Sequence, residues 1–122
     1  MTALTKQQFR NINGFSNLFF GWGGEDDDLY KRVVASGYQI SRYSNDVGRY
    51  FTNKNERQEP TQNVHKLLST SVLRMNREGL NTLKFKLISI RRYPLYTHIL
   101  VSYNQHEIMK NSDYVEYDYD DL

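Results

Sequence analysis

Between Glu25 and Ser36 the apolar residues fall at Leu29, Tyr30, Val33 and Val34, the i, i+4 spacing of a helix with one buried face. Gly37 ends that pattern. Upstream, "LTKQQFRNINGF" predicts a helix of one or two turns. Thr5 is its N-cap, Leu4 and Phe9 are placed as a hydrophobic staple, and Gly14 supplies the stop. "YQISRY", Tyr38 to Tyr43, alternates as a strand does, and "VGRYF", Val47 to Phe51, is a second short strand candidate. "TNKNERQEP", Thr52 to Pro60, is polar and aperiodic, so a mobile loop is expected there. Pro60 then opens a second amphipathic helix carrying Val64, Leu67, Leu68, Val72 and Met75 and closed by Gly79. Leu83 to Arg91 alternates as a strand, Pro94 interrupts, and "YTHILVSY" is a further β-rich segment. Beyond Gln105 the pattern fades.

That order of elements, without internal repeats, predicts a mixed α/β or α+β fold, with a mixed sheet and two main helices. The expected division is an ordered domain over 1–105 and an acidic, tyrosine-rich disordered tail over 106–122. Residues 113–122 hold five acids and no bases, so the other 112 residues carry all 16 Lys and Arg against 9 acids. The bases are scattered rather than striped, which argues against nucleic acid as a partner. No apolar run approaches the roughly 18 residues of a membrane helix. Met1 leads straight into "TALTKQQF", which has no signal-peptide pattern, so no targeting or membrane segment is expected in this chain. The absence of cysteine removes disulfides, thiolate metal sites and a cysteine nucleophile.

Candidate chemistry concentrates in "FFGWGGEDDDLYKRV", Phe19 to Val33. Acids in a first helical turn interact favourably with the exposed N–H groups, by about 0.3–1 kcal/mol each. One or two meet that need, whereas four in a row repel one another for little further gain. Glycines around Trp22 leave backbone open to close approach. An indole face suits the C–H face of a sugar ring, and neighbouring carboxylates accept hydrogen bonds from its hydroxyls. A carboxylate beside a nucleophilic hydroxyl can also take its proton. Some of these acids therefore cap the helix, and the rest face a polyhydroxyl ligand.

"NINGFSNLFFGWGGEDDDLYKRVVASGYQISR" resembles the β-1,4-galactosyltransferase family, with its Asn-Gly-Phe, Gly-Trp-Gly-Gly-Glu-Asp-Asp-Asp and Ile-Ser-Arg segments. "EGLNTLKFKLISIRRYPLYTHILV", Glu78 to Val101, resembles the Gly-Leu-Asn and Arg-Tyr-Pro-Leu-Tyr-Thr segments of the same family. The resemblance runs from about Leu4 to Val101 and implies the C-terminal half of a catalytic domain of GT-A type. It implies an inverting hexosyltransferase of the Golgi lumen, using manganese, a UDP-sugar donor carrying galactose or N-acetylgalactosamine, and a sugar acceptor such as N-acetylglucosamine on a glycoprotein or glycolipid. Carried over residue by residue, Trp22 contacts both sugars, and Gly23, Gly24, Glu25, Asp26 and Asp27 line the acceptor site. Asp26 is the base, Asp27 holds the acceptor, and Asp28 is structural.

The chain departs from the family pattern in three places. "GRYFTNKNERQEP" lacks the Met-x-x-His metal ligands, so no metal ligand is expected here. Val64 stands where the family has Arg, and Tyr50 where it has Cys. His65, His98 and His106 have no helical pair spacing and are not expected to bind metal. Two functions follow: a transferase portion inactive when isolated, or a non-catalytic carbohydrate-binding or interaction module of the same lineage.

Overall fold

The computed structural model describes residues 2–52 and 59–110. It is a mixed α/β arrangement of short helices and one antiparallel hairpin: α1 (Lys6–Asn11), α2 (Glu25–Ala35), α3 (Val64–Ser69), α4 (Ser71–Arg74), a 3-10 turn (Leu80–Thr82), β1 (Lys86–Arg92), β2 (Thr97–Ser102) and α5 (Gln105–Lys110).

The first helix follows its sequence signals. Thr5 Oγ1 accepts the Gln8 N–H at 3.2 Å, and Gln8 Oε1 accepts the Thr5 N–H at 2.8 Å, a complete capping box. At its end the Gly14 N–H reaches the Phe9 carbonyl at 2.8 Å and the Asn13 N–H reaches Arg10 at 3.0 Å. That pair of bonds satisfies the last carbonyls and turns the chain. The second helix, α2, occupies the predicted span and buries Leu29 and Val33 against Ile12.

The helix expected to start at Pro60 starts instead at Val64. Pro60 instead lies in a parallel bridge with Trp22, whose carbonyl accepts the Thr61 N–H at 3.0 Å, so this stretch runs extended beside the Trp22 loop. Asn63, at φ 54°, separates that contact from α3. Nor is the helix continuous. Thr70 Oγ1 donates to the Lys66 carbonyl at 2.9 Å, the acceptor that its own N–H uses at 3.2 Å. This competition bends the chain between α3 and α4.

The two strands predicted over Tyr38–Tyr43 and Val47–Phe51 do not form. Alternation makes a strand only where another strand offers a ladder, and the described sheet consists of β1 and β2 alone. Tyr38 is instead tied back to α1, its hydroxyl accepting from Asn11 Nδ2 at 2.6 Å. Val47 and Gly48 close a turn onto the Ser44 carbonyl. Of the loop predicted at Thr52–Pro60, residues 53–58 lie outside the described residues, and its last residues pair with Trp22. Both downstream strands do form, β1 starting at Lys86 rather than Leu83. Their register opposes Leu87 to Val101 and Ile90 to Ile99, with an irregularity between Leu87 and Ser89. The Tyr93 N–H closes the turn onto Tyr96 at 2.8 Å, and the two rings stack at 4.7 Å.

Helix α5 falls where the apolar pattern fades. Asn104 caps it, its Oδ1 accepting the Glu107 N–H at 3.2 Å. Residues 111–122, the rest of the expected acidic tail, lie outside the described residues. Among the described residues no helix is long and apolar enough to cross a membrane.

The apolar interior is small: Ile12, Leu18, Leu29, Val33, Leu67 and Met75. Beside it lie four charged side chains that are equally buried, Asp28, Arg32, Arg74 and Glu78. These, rather than more aliphatic side chains, fix α2 against the rest of the molecule.

Candidate functional site

The loop Gly21–Gly24 delivers the chain into α2. The Trp22 N–H donates to the Glu59 carbonyl at 2.8 Å, and the Trp22 carbonyl accepts from Thr61, a parallel bridge. Gly21 makes this contact possible. Its φ is +113°, and a Cβ placed there would lie 2.6 Å from the Glu59 carbonyl oxygen. Gly24 is required for a related reason. It is buried at the N-cap of α2 with φ +96°, and a Cβ there would lie 2.5 Å from Val64 Cγ2 and 2.8 Å from the Phe19 ring.

With its backbone held, the Trp22 side chain remains 64% exposed. Gly23, half-buried, has open space where a side chain would be. Glu25, Asp26 and Asp27 occupy the first turn of α2 and are all exposed. Asp26 Oδ1 accepts the Asp27 N–H at 3.0 Å. Among the described residues Asp26 Oδ2 and the carboxylates of Glu25 and Asp27 have no hydrogen-bond partner. Gly24 has no side chain to cap with, so these carboxylates complement the helix dipole from the first turn itself. The structure thus places Trp22, Glu25, Asp26 and Asp27, all exposed, on either side of half-buried Gly23 and buried Gly24: an indole followed along the chain by acceptor oxygens.

Asp28 turns the other way. Its Oδ2 pairs with Arg32 Nε at 2.7 Å and its Oδ1 with Arg74 Nη2 at 2.9 Å. Glu78 Oε2 closes the ring, 2.9 Å from Arg32 Nη2 and 2.8 Å from Arg74 Nη1. Two cations and two anions leave no net charge in the interior. The remaining donors are met by backbone, Arg32 Nη1 by the Glu78 carbonyl at 3.0 Å and Arg74 Nη2 by the Leu67 carbonyl at 2.7 Å. The Ser16 hydroxyl donates to Glu78 Oε2 at 2.8 Å, and the Asn17 N–H donates to Glu78 Oε1. A buried charge set is tolerated only with such complete satisfaction. Its effect is geometric: α2, α4, the Gly14–Asn17 turn and Glu78 share one ring, which sets the direction of the first turn of α2.

Sequence reading placed the acids but not this ring. The signal lay in two i, i+4 pairs, Asp28 with Arg32 and Arg74 with Glu78, which read as ordinary helix-surface pairs. The Glu59–Thr61 clamp on Trp22 left no signal beyond Pro60 itself. The Thr61 hydroxyl beside it is buried and has no hydrogen-bond partner among the described residues.

Among the described residues no three His, Cys, Asp or Glu side chains converge to hold a metal ion. The acids of α2 diverge, three outward and one inward, so these residues do not fit manganese and no chemical step is assigned to a metal here.

A family model described as the N-terminal domain of galactosyltransferase matches residues 1–56. That description differs from the C-terminal placement expected from the family resemblance. The chain is 42% identical over 104 residues to beta-1,4-galactosyltransferase 1 of Mus musculus, covering 83% of this chain and 26% of the relative. It is 41% identical over 104 residues to beta-1,4-galactosyltransferase 1 of Homo sapiens, with the same coverages of 83% and 26%. It is 42% identical over 104 residues to beta-1,4-galactosyltransferase 5 of Danio rerio, covering 84% of this chain and 27% of the relative. The chain thus spans about a quarter of the length of the curated relatives it matches. At that identity over most of its own length, this chain belongs to the β-1,4-galactosyltransferase family.

Proposed function

We propose that this chain is the acceptor-binding portion of a GT-A type transferase that moves galactose or N-acetylgalactosamine from a UDP-sugar to an N-acetylglucosamine-type acceptor with inversion. One observation carries the reading. Trp22 and the carboxylates of Glu25, Asp26 and Asp27 are all exposed at the start of α2, while Asp28, the next acid, is held in the interior. Capping alone does not require three solvent-facing acids and an unpacked indole beside them.

In this reading the acceptor sugar stacks on Trp22, and Glu25 and Asp27 accept hydrogen bonds from its hydroxyls. Asp26 takes the proton of the attacking hydroxyl as the new C1–O bond forms and UDP departs from the opposite face, which inverts the anomeric centre. Manganese and the UDP-sugar are held by the part of the transferase that these described residues do not supply. The Golgi lumen is the proposed compartment.

The test replaces the aligned 104 residues of the mouse relative with this chain and measures galactose transfer. Asp26→Asn should lower the rate by about 10²–10⁴-fold with the fold intact, the usual contribution of a positioned base. Asp46→Asn, an exposed acid on a distant turn, serves as comparator. Equal rates for the two variants would remove Asp26 from the chemistry. A non-catalytic carbohydrate module stays as the second reading, because the Met-x-x-His pair is missing. It is favoured if the chimera binds acceptor, seen as a change in Trp22 emission, yet transfers nothing.

A further inference from the structure

We propose that the basic face of the β1–β2 hairpin is a docking surface for an acidic peptide, and that its occupant is this chain's own segment 113–121, whatever the Trp22 loop binds.

Charge along the last third of the chain is sharply divided. Residues 79–106 hold four Lys or Arg and two His without a single acid, and residues 113–122 hold five acids and no base. Directly opposed residues in an antiparallel pair share a face. Leu87 with Val101 and Ile90 with Ile99 make an aliphatic face. Lys86 with Ser102, Ser89 with Leu100 and Arg91 with His98 make the other. On that second face Lys86, Arg91 and His98 are exposed, and among the described residues neither Lys86 nor Arg91 pairs with a carboxylate. Lys84, just before the strand, meets Glu107 of α5 at 3.7 Å.

The fold delivers the acids to this face. Strand β2 ends at Ser102, opposite Lys86, and α5 starts three residues later at Gln105. A groove of about 670 Å³ joins the start of β1 to α5, with Lys84, Lys86, Ser102, Glu107 and Ile108 in its lining. Residue 111 is only three positions beyond Ile108. The five steps from Lys86 to Arg91 span about 17 Å, whereas the ten steps from 111 to 121 reach about 33 Å when extended. From Val115 onward the segment alternates, Val115, Tyr117 and Tyr119 against Glu116, Asp118 and Asp120. Extended, it turns those three acids to one side.

Exposed ion pairs are individually weak and are screened by salt. Tethering offsets that weakness, because a short linker holds the acids at about millimolar effective concentration. A second copy offers the same acids only at its solution concentration, so the tethered segment fills the face first. Filled from within the chain, the face is closed to other polyanions.

The experiment uses the full 122-residue chain with a nitroxide on Leu122→Cys, the chain having no other cysteine. Nitrogen-15 spectra should lose amide intensity at Ser89 and Arg91, relative to the reduced label. Glu116→Gln, Asp118→Asn and Asp120→Asn together should restore it. So should Lys86→Ala with Arg91→Ala, read at Ser89, and about 1 M salt, where the screening length is about 3 Å. Arg92→Ala, one residue on but on the aliphatic face, should leave the loss in place. Unchanged signals from α1 and α2 in each variant confirm the fold. No loss at Ser89 and Arg91, or a loss that survives neutralising the three acids, would overturn the proposal. So would a loss on unlabelled chains mixed with labelled ones, since the segment then docks on a second copy. A free peptide of residues 111–122 should shift the same amides in the neutralised variant. A single-stranded oligonucleotide of equal charge that binds that variant more tightly would assign the face to nucleic acid and sink the peptide reading.

Discussion

Arg32 Nη2 and Glu78 Oε2 lie 2.9 Å apart in the interior, and Arg74 Nη1 reaches the same oxygen at 2.8 Å. One carboxylate oxygen thus holds two guanidinium groups that arrive from different helices, while Asp28 holds the same two from the other side. The arrangement is neutral as a whole and charged if any member is lost.

Asp28→Asn and Glu78→Gln should therefore each destabilise the chain by about 3–5 kcal/mol, because each leaves two buried guanidinium groups facing one carboxylate. Chemical denaturation monitored by circular dichroism measures this. Asp26→Asn, two residues before Asp28 and exposed, should leave the midpoint near that of the parent. Similar midpoints for Asp28→Asn and Asp26→Asn would mean that the ring contributes nothing. For the same reason Asp28→Asn is a poor comparator in any rate experiment on Asp26, despite the shared helical turn.

Glycine at position 21 should be harder to replace than glycine at position 23. Both sit at positive φ, +113° and +91°, so alanine strains either by roughly 1–2 kcal/mol. At Gly23 nothing else is disturbed. At Gly21 the new carbon meets the Glu59 carbonyl and must break the Trp22 bridge. Trp22 is the single tryptophan of the chain, so its emission reports the event directly. Gly21→Ala should shift emission and lower stability more than Gly23→Ala does. The opposite order would mean that the clamp does not position the loop.

The purified 122-residue chain, assayed with nucleotide sugars, manganese and N-acetylglucosamine, should show no transfer. The described residues contain no three-ligand metal site, and donor binding is assigned to sequence outside this chain. Turnover clearly above a no-enzyme blank would show that the chain handles the donor by itself.

Asn104→Ala should fray α5 at a cost of about 1 kcal/mol or less, read as faster exchange confined to Glu107–Lys110. Slowed or unchanged exchange there would mean that the helix is held by packing of Ile108 rather than by its cap.

Helix α2 was legible because both of its signals are local: apolar spacing and a glycine at its end. The Thr5 cap of α1 and both hairpin strands were legible on the same terms. The bend at Thr70 was not, since it arises where a side chain and a backbone N–H compete for one carbonyl. Tyr38–Tyr43 has the alternation of a strand, but alternation cannot say whether a ladder is available. At the site, the exposed acids and Trp22 could be read from their types and order. The inward turn of Asp28 could not, because one of the two arginines that hold it, Arg74, lies 46 positions away along the chain. The cap of α5 was present as Asn104 three residues before Glu107 and was masked by a weak apolar pattern.

The charged interior also bears on how this molecule responds to temperature. Exposing apolar surface raises the heat capacity of unfolding, and exposing polar surface lowers it. A centre in which two arginines and two acids take the place of aliphatic side chains releases less apolar surface when it opens. Its free energy of unfolding should curve less with temperature than that of a chain of equal length with an oily centre. The loop that carries Trp22 would then keep its orientation on cooling, where stability that rests on apolar burial weakens.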